Sequence, residues 1–166
     1  VSAQIIYTSE PTVICEEQFK DIAVFCEGLA AVRNTEGLCG YIDYSGEVVI
    51  PYQFRYAFNF TKDGIARYQV GPDQSRGFID KEGNRVVEPA YDWADSFSEG
   101  RAKVMIYDDG TCKYGFIDKE GNIVIEPAYD SAFPFSEGLA AVGLDGKYGY
   151  IDKEGNYVIE PIYDDA

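Results

Sequence analysis

The residues of this chain that could do chemistry are two serines, a repeated acidic pentapeptide and four cysteines. Ser98 and Ser136 each sit in Phe-Ser-Glu-Gly, and a serine nucleophile needs a base to take its proton. The chain has no histidine, so a Ser–His–Asp triad is impossible and the commonest metal ligand is missing. Asp-Lys-Glu-Gly-Asn lacks the acidic spacing of a calcium loop, and its glycine has a simpler use in a turn. Cys15, Cys26, Cys39 and Cys112 form no Cys-x-x-Cys pair, which argues against zinc and redox chemistry. Cys15 and Cys26 could bridge in an oxidising compartment, but free thiols packed as small hydrophobes are the preferred reading. Two carboxylates at a cleft could hydrolyse glycosides, but spacing along one chain does not place such a pair. The expectation is a non-enzyme with no catalytic residue, no cofactor and no metal site.

Aromatic side chains offer a different capability. Fourteen tyrosines and ten phenylalanines could stack on sugars or peptides, although most should be packing residues at repeated positions. Tyr107, Tyr114 and Tyr148 are the candidate ligand contacts. Tyr107 comes first, because the hairpin Lys103–Lys113 should project two residue pairs beyond its siblings.

What positions these residues is a repeat. Close copies of one stretch begin at Gly40 (GYIDYSGEVVIP), Gly77 (GFIDKEGNRVVEP), Gly115 (GFIDKEGNIVIEP) and Gly149 (GYIDKEGNYVIEP). Each carries Asp-x-x-Gly: Asp43 with Gly46, Asp80 with Gly83, Asp118 with Gly121, and Asp152 with Gly155. Asp suits the first position of a type I turn, and a glycine at positive φ closes a three-residue hairpin with a bulge. The four pairs are read as equivalent structural turns. Folding Asp118–Asn122 about that turn predicts Ile117 opposite Ile123, Phe116 opposite Val124 and Gly115 opposite Ile125. Both faces of such a hairpin are apolar, so the sheet should be covered on both sides.

An Ala-x-Val-like run precedes each hairpin, and four different loop lengths predict one register: Val32 opposite Gly40, Tyr68 opposite Gly77, Val104 opposite Gly115, Val142 opposite Gly149. The predicted unit is a three-stranded antiparallel meander with a glycine in its middle strand. An aromatic ring, from Phe25, Phe60, Phe97 or Phe135, should fill the hole beside that glycine. Pro51, Pro89 and Pro127 should end a strand, with a turn or one helical turn crossing to the next unit.

Residues 1–166 therefore read as one repeat domain: a worn unit 1–39, units 40–76, 77–114 and 115–148, and a partial unit 149–166. In the worn unit, Ile5–Tyr7 and Val13–Ile14 are the expected strands. The fold class is all-β, a tandem array of meanders stacked face to face, as an open superhelix or solenoid with a propeller-like ring as the alternative. Stacking is obligatory, because one unit buries too little apolar surface to offset its own ordering.

The pattern K-[YF]-G-[YF]-I-D-K-x-G-x-x-V-I-x-P-x-Y-D-x-A-x-x-F-S-E-G-L-A-x-V resembles the bacterial WG-containing repeat, also called the KWG repeat. The likeness covers residues 40–166 well and 5–39 weakly. The family's Trp before Gly is Tyr114, Tyr148, Arg76 or Cys39 here, and the one Trp, Trp93, sits elsewhere. The resemblance implies an all-β tandem repeat of bacterial type, a structural or interaction role, and no shared catalytic residues.

The formal net charge of −15, from 29 acids and 14 bases, repels phosphate backbones and anionic lipid. No apolar run approaches the roughly 20 residues of a membrane span. Nucleic acid and membrane insertion are therefore not expected as partners. The first residue is Val, and no leader is evident, so the chain reads as one piece of something longer with neighbouring domains or repeats. Its compartment stays open, with a lean towards the outside of the cytoplasm. The expected function is a scaffold or binding module for a protein partner, with a cell-wall or glycan-binding array as the alternative.

Overall fold

The computed structural model describes residues 20–71 and 75–164, without the side chain of Asp108. Ile5–Tyr7, Val13–Ile14 and Cys15 lie outside these residues.

The Asp-x-x-Gly turns form as their residue types demand. Asp118 Oδ1 accepts the Glu120 and Asn122 amides at 3.1 and 2.8 Å. The Gly121 amide returns to the Asp118 carbonyl at 3.1 Å, and Gly121 has φ +86°. Gly83 and Gly155 close their turns on Asp80 and Asp152 in the same way, at φ 83° and 86°.

The turn at Gly46 is the same in backbone and different in side chains. The Gly46 amide returns to the Asp43 carbonyl at 3.0 Å, and Gly46 has φ 83°. Its siblings are followed by an asparagine whose side-chain amide donates back to the turn aspartate. Gly46 is followed by Glu47, which has no such donor to give. The Ser45 hydroxyl supplies it instead, at 2.6 Å from Asp43 Oδ1.

These hairpins belong to four antiparallel meanders with strands in sequence order. Sheet I holds β1 (Asp21–Ile22), β2 (Ala30–Arg33), β3 (Cys39–Ile42) and β4 (Val48–Phe54). Sheet II holds β5 (Tyr56–Ala57), β6 (Ala66–Gln69), β7 (Arg76–Ile79) and β8 (Arg85–Tyr91). Sheet III holds β9 (Trp93–Ala94), β10 (Ala102–Asp108), β11 (Thr111–Ile117) and β12 (Ile123–Tyr129). Sheet IV holds β13 (Ser131–Ala132), β14 (Ala140–Leu144), β15 (Lys147–Ile151) and β16 (Tyr157–Tyr163). None of the described residues is helical.

The fold is thus the expected all-β tandem array, with one strand more per sheet than the three predicted. The segment expected to be a crossing turn supplies it: starting at Tyr56, Trp93 or Ser131 the chain pairs for two residues with the following Ala-x-Val strand. Each sheet therefore straddles two sequence units.

The register of the first hairpin is as predicted in all four sheets: Val32↔Gly40, Tyr68↔Gly77, Val104↔Gly115 and Val142↔Gly149. The second hairpin needs a correction. Ile117 does face Ile123, but Phe116 faces Ile125 and Tyr114 faces Tyr129. Val124 is extra in the first interval, and Glu126, Pro127 and Ala128 oppose Gly115 alone in the second. Proline sits inside this bulge, where no ladder hydrogen bond is demanded of it, so it does not end the strand.

The bulge also explains the glycine. A Cβ on Gly115 would lie 2.4 Å from the Ile125 oxygen and 2.6 Å from the Pro127 nitrogen. At Gly40, Gly77 and Gly149 the matching carbonyl oxygen is 2.5 Å away. Neighbouring backbone fills the hole, joined at Gly77 by the Tyr68 ring at 2.7 Å, and none of the four expected phenylalanines is among the nearest atoms.

The phenylalanines serve the junctions between sheets. Phe60 lies 4.9 Å from Tyr41, Phe97 4.9 Å from Phe78, and Phe135 4.9 Å from Phe116, centroid to centroid. Phe25 instead stacks on Tyr44 at 4.7 Å. One buried cluster joins sheets I and II around Tyr41, Ile50 and Tyr68. A second joins II and III around Phe78, Val87 and Val104, and a third joins III and IV around Phe116, Ile125 and Val142. Phe116 faces forward and Ile117 backward, so the inner sheets are covered on both faces as expected.

Two smaller contacts repeat with the cores. The turn glycines of sheets II, III and IV lie against the previous sheet: a Cβ on Gly83, Gly121 or Gly155 would stand 3.2, 2.9 or 3.3 Å from Ile50, Val87 or Ile125. The lysine two residues before each of these pairs with an acid of the previous sheet: Lys81 with Glu27 at 3.6 Å, Lys119 with Asp63 at 2.9 Å, and Lys153 with Glu99 at 3.2 Å.

All four Asp-x-x-Gly turns close as expected. The position two residues before Gly46 is Tyr44, whose ring receives Phe25 where the other turns carry a lysine. Gly83, Gly121 and Gly155 thus serve both a hairpin and a junction.

Candidate interaction site

The three candidate tyrosines stand at one end of the sheets, where β10–β11 and β14–β15 turn back. Tyr107 pairs with Cys112, and Tyr114 with Met105, on the ladder that runs on to Asp108↔Thr111. That ladder has seven pairs against five in sheet IV, so the hairpin projects as expected. By the alternation of strands, Tyr107 and Tyr114 share a face of this ribbon, while Tyr148 belongs to the next sheet. Tyr107 is 60% exposed and its amide is pinned to Asp92 Oδ2 at 2.8 Å. Tyr114 is half-buried, with Lys103 Nζ 5.4 Å from its ring centre. Tyr148 is half-buried and lies across Gly143, where a Cβ would meet its ring at 3.1 Å. Of the three, Tyr107 alone is free to offer a whole ring.

The structure adds two aromatic residues that the sequence reading did not single out. Tyr56 and Trp93 occupy equivalent places on the short outer strands β5 and β9 and are 42% and 41% exposed. Each has an arginine beneath it. The Arg33 guanidinium carbon is 5.2 Å from the Tyr56 ring centre, and that of Arg76 is 3.4 Å from Trp93. The outer strand is the missing signal: once Tyr-Asp-x-Ala is known to hold an edge strand, its third residue is seen to face outward.

Trp93 is held from several directions. Its Nε1–H donates to Asp95 Oδ1 at 3.0 Å, and its backbone pairs with Met105. The buried Arg76 donates to the Ala94 carbonyl at 3.2 Å. Arg67 donates to the same carbonyl at 2.5 Å and lies 3.8 Å from Asp95, to which Lys103 bonds at 2.9 Å. Burial pushes the Asp95 carboxyl up, but hydrogen bonds from Lys103 and Trp93 and the charges of Lys103 and Arg67 outweigh it and hold the group below its usual range. Burial lowers both arginines, yet guanidinium stays charged. The result is an aromatic platform on a rigid cationic bed, beside the projecting Tyr107.

Among the described residues, no three His, Cys, Asp or Glu side chains gather as a metal site would require. Cys26, Cys39 and Cys112 are free thiols, and burial raises the Cys39 pKa. The four turn aspartates spend their oxygens on their own turns.

The family model described as WG containing repeat matches residues 40–71, 77–108, 114–148 and 148–166, more than half of the chain. No curated protein matches. Among solved structures, the chain is similar to the computationally designed Ika8 protein at 13% identity and TM-score 0.46, covering 86% of this chain and 48% of that one. It is also similar to the computationally designed Ika4 protein at 15% identity and TM-score 0.45, covering 89% and 93%. The chain thus spans about half the length of the first of these and nearly all of the second.

Proposed function

Because this chain belongs to the WG containing repeat family, we propose that it works as a non-catalytic binding module whose repeat array presents an aromatic edge to a protein partner. The observation that carries the reading is the braced trio Trp93, Arg76 and Tyr107 at one end of sheets II and III. Tryptophan, tyrosine and arginine are the residues in which interface energy concentrates, and their value rises when the free protein already holds them in place. Trp93 is fixed before any partner arrives, so little side-chain freedom is lost on binding. The formal net charge of −15 favours a partner whose contact face is basic around an apolar centre, with association slowed by salt.

Peptides selected by display against the immobilised chain supply the probe. Trp93→Ala and Tyr107→Ala should each weaken the selected peptides about tenfold or more, the scale of an interface hot spot. Peptides that bind both variants as tightly as the parent chain would overturn the reading. A glycan panel run beside them tests the rival: a sugar retained by the parent and lost with Tyr107→Ala would assign the platform to carbohydrate.

A further inference from the structure

Sheet IV ends in a half-built junction. At the three internal junctions the forward face of a sheet carries an aromatic after its glycine, then Ile or Val, then Phe or Tyr. These are Tyr41, Ile50 and Phe54 in sheet I; Phe78, Val87 and Tyr91 in sheet II; Phe116, Ile125 and Tyr129 in sheet III. All nine are no more than 8% exposed. Sheet IV presents the same set as Tyr150, Ile159 and Tyr163. Ile159 is 37% and Tyr163 50% exposed, and Tyr150 is only half-buried.

The missing half can be read from the junctions that are complete. Tyr150 should receive a phenylalanine as Phe116 receives Phe135. Ile159 should receive a turn glycine as Ile125 receives Gly155. Glu137, which stands where Glu99 stands one sheet earlier, should receive a turn lysine as Glu99 receives Lys153.

We propose that the forward face of sheet IV is a docking face, and that its occupant is one further meander of this same repeat type. A second copy of the chain stacked head to tail does not supply that occupant. Its rear face on sheet I is already closed around Ala30, Val32 and Ile42, which are at most 1% exposed, and its Phe25 is stacked on Tyr44.

The test joins a copy of residues 133–166 after Ala166 of the full chain, so that the appended segment carries the phenylalanine, turn glycine and turn lysine at the required spacing. Amide exchange in β16 should slow at least about tenfold, and the appended meander should itself become protected. Ile159→Lys in the extended chain should abolish that protection, and Glu137→Lys should weaken it. Neither change should unfold the unextended chain, where Ile159 is solvated already and Glu137 is exposed. Random-coil exchange in the appended segment would overturn the proposal, and so would equal protection with Ile159→Lys. Dimerisation of the unextended chain that Ile159→Lys abolishes would also overturn it, because the face would then serve self-association.

Discussion

Gly115→Ala is the smallest change that reaches the centre of a sheet. A single methyl added there would stand 2.4 Å from the Ile125 oxygen, 2.6 Å from the Pro127 nitrogen and 2.8 Å from the Glu126 carbonyl carbon. All three are backbone atoms of the bulge in β12, so no side chain can swing away to make room. The bulge must lift, and lifting it strains the Tyr114↔Tyr129 and Phe116↔Ile125 pairs on either side. Inserting a methylene-sized group into packed surroundings costs about 1–3 kcal/mol, and with only backbone to yield the expected loss is about 3 kcal/mol. For a chain of this size that lowers the melting temperature by about 6–12 °C. Gly115→Val should cost more still. The assay is urea unfolding together with amide exchange in β11 and β12. Gly110→Asn is the control, because Gly110 has φ +84°, nothing within 4 Å of its Cβ position, and a backbone conformation that Asn tolerates. Its strained φ should hold the cost to about 1 kcal/mol. Gly115→Ala falling in that same band would refute the account of the bulge.

Two further outcomes follow from the junctions. Phe135→Ala removes a ring that is 1% exposed and should cost about 3–5 kcal/mol, while Phe133→Ala, two residues away and 48% exposed, should stay within about 0.5 kcal/mol. Equal losses on calorimetry would mean that Phe116 and Phe135 do not carry the junction. On acidification, the depressed carboxyl of Asp95 binds its proton less readily folded than unfolded, so its stabilisation is complete above about pH 4 and fades as the pH falls further. The difference in urea midpoint between the parent and Asp95→Asn, in which changes in overall charge repulsion largely cancel, should therefore be widest near neutrality and close below about pH 4. A gap that widens in acid would contradict that sign.

Much of the fold was legible because each feature had a local cause. Asp43, Asp80, Asp118 and Asp152 announce their turns by type, and the Ala-x-Val register follows from counting across loops of different length. Packing around those turns was less legible: nothing local in Asp118–Gly121 says that Gly121 lies against Val87 of the previous sheet. The wide bulge was not legible. Ile-Glu-Pro-Ala-Tyr reads as a strand that stops at proline, and only the close approach of backbone to Gly115 shows that three residues fold over one. The two-residue strands β5, β9 and β13 were hidden for a related reason, since nothing local marks so short a pairing. Tyr107 could be singled out because loop length alone makes its hairpin project. Trp93 and Tyr56 could not, because their exposure is set by an edge strand and by arginines from the neighbouring sheet.

The offset between sequence unit and sheet has a genetic consequence. Each sheet takes its first two strands from one unit and its last two from the next, so every junction draws on the same small alphabet of partners. Excising Phe78 through Gly115 would splice Gly77 to Phe116 and restore the same order of strand types, with no interface of a new kind created. Slippage during replication could lengthen or shorten such a gene in whole steps, and the protein would register only a change in its reach.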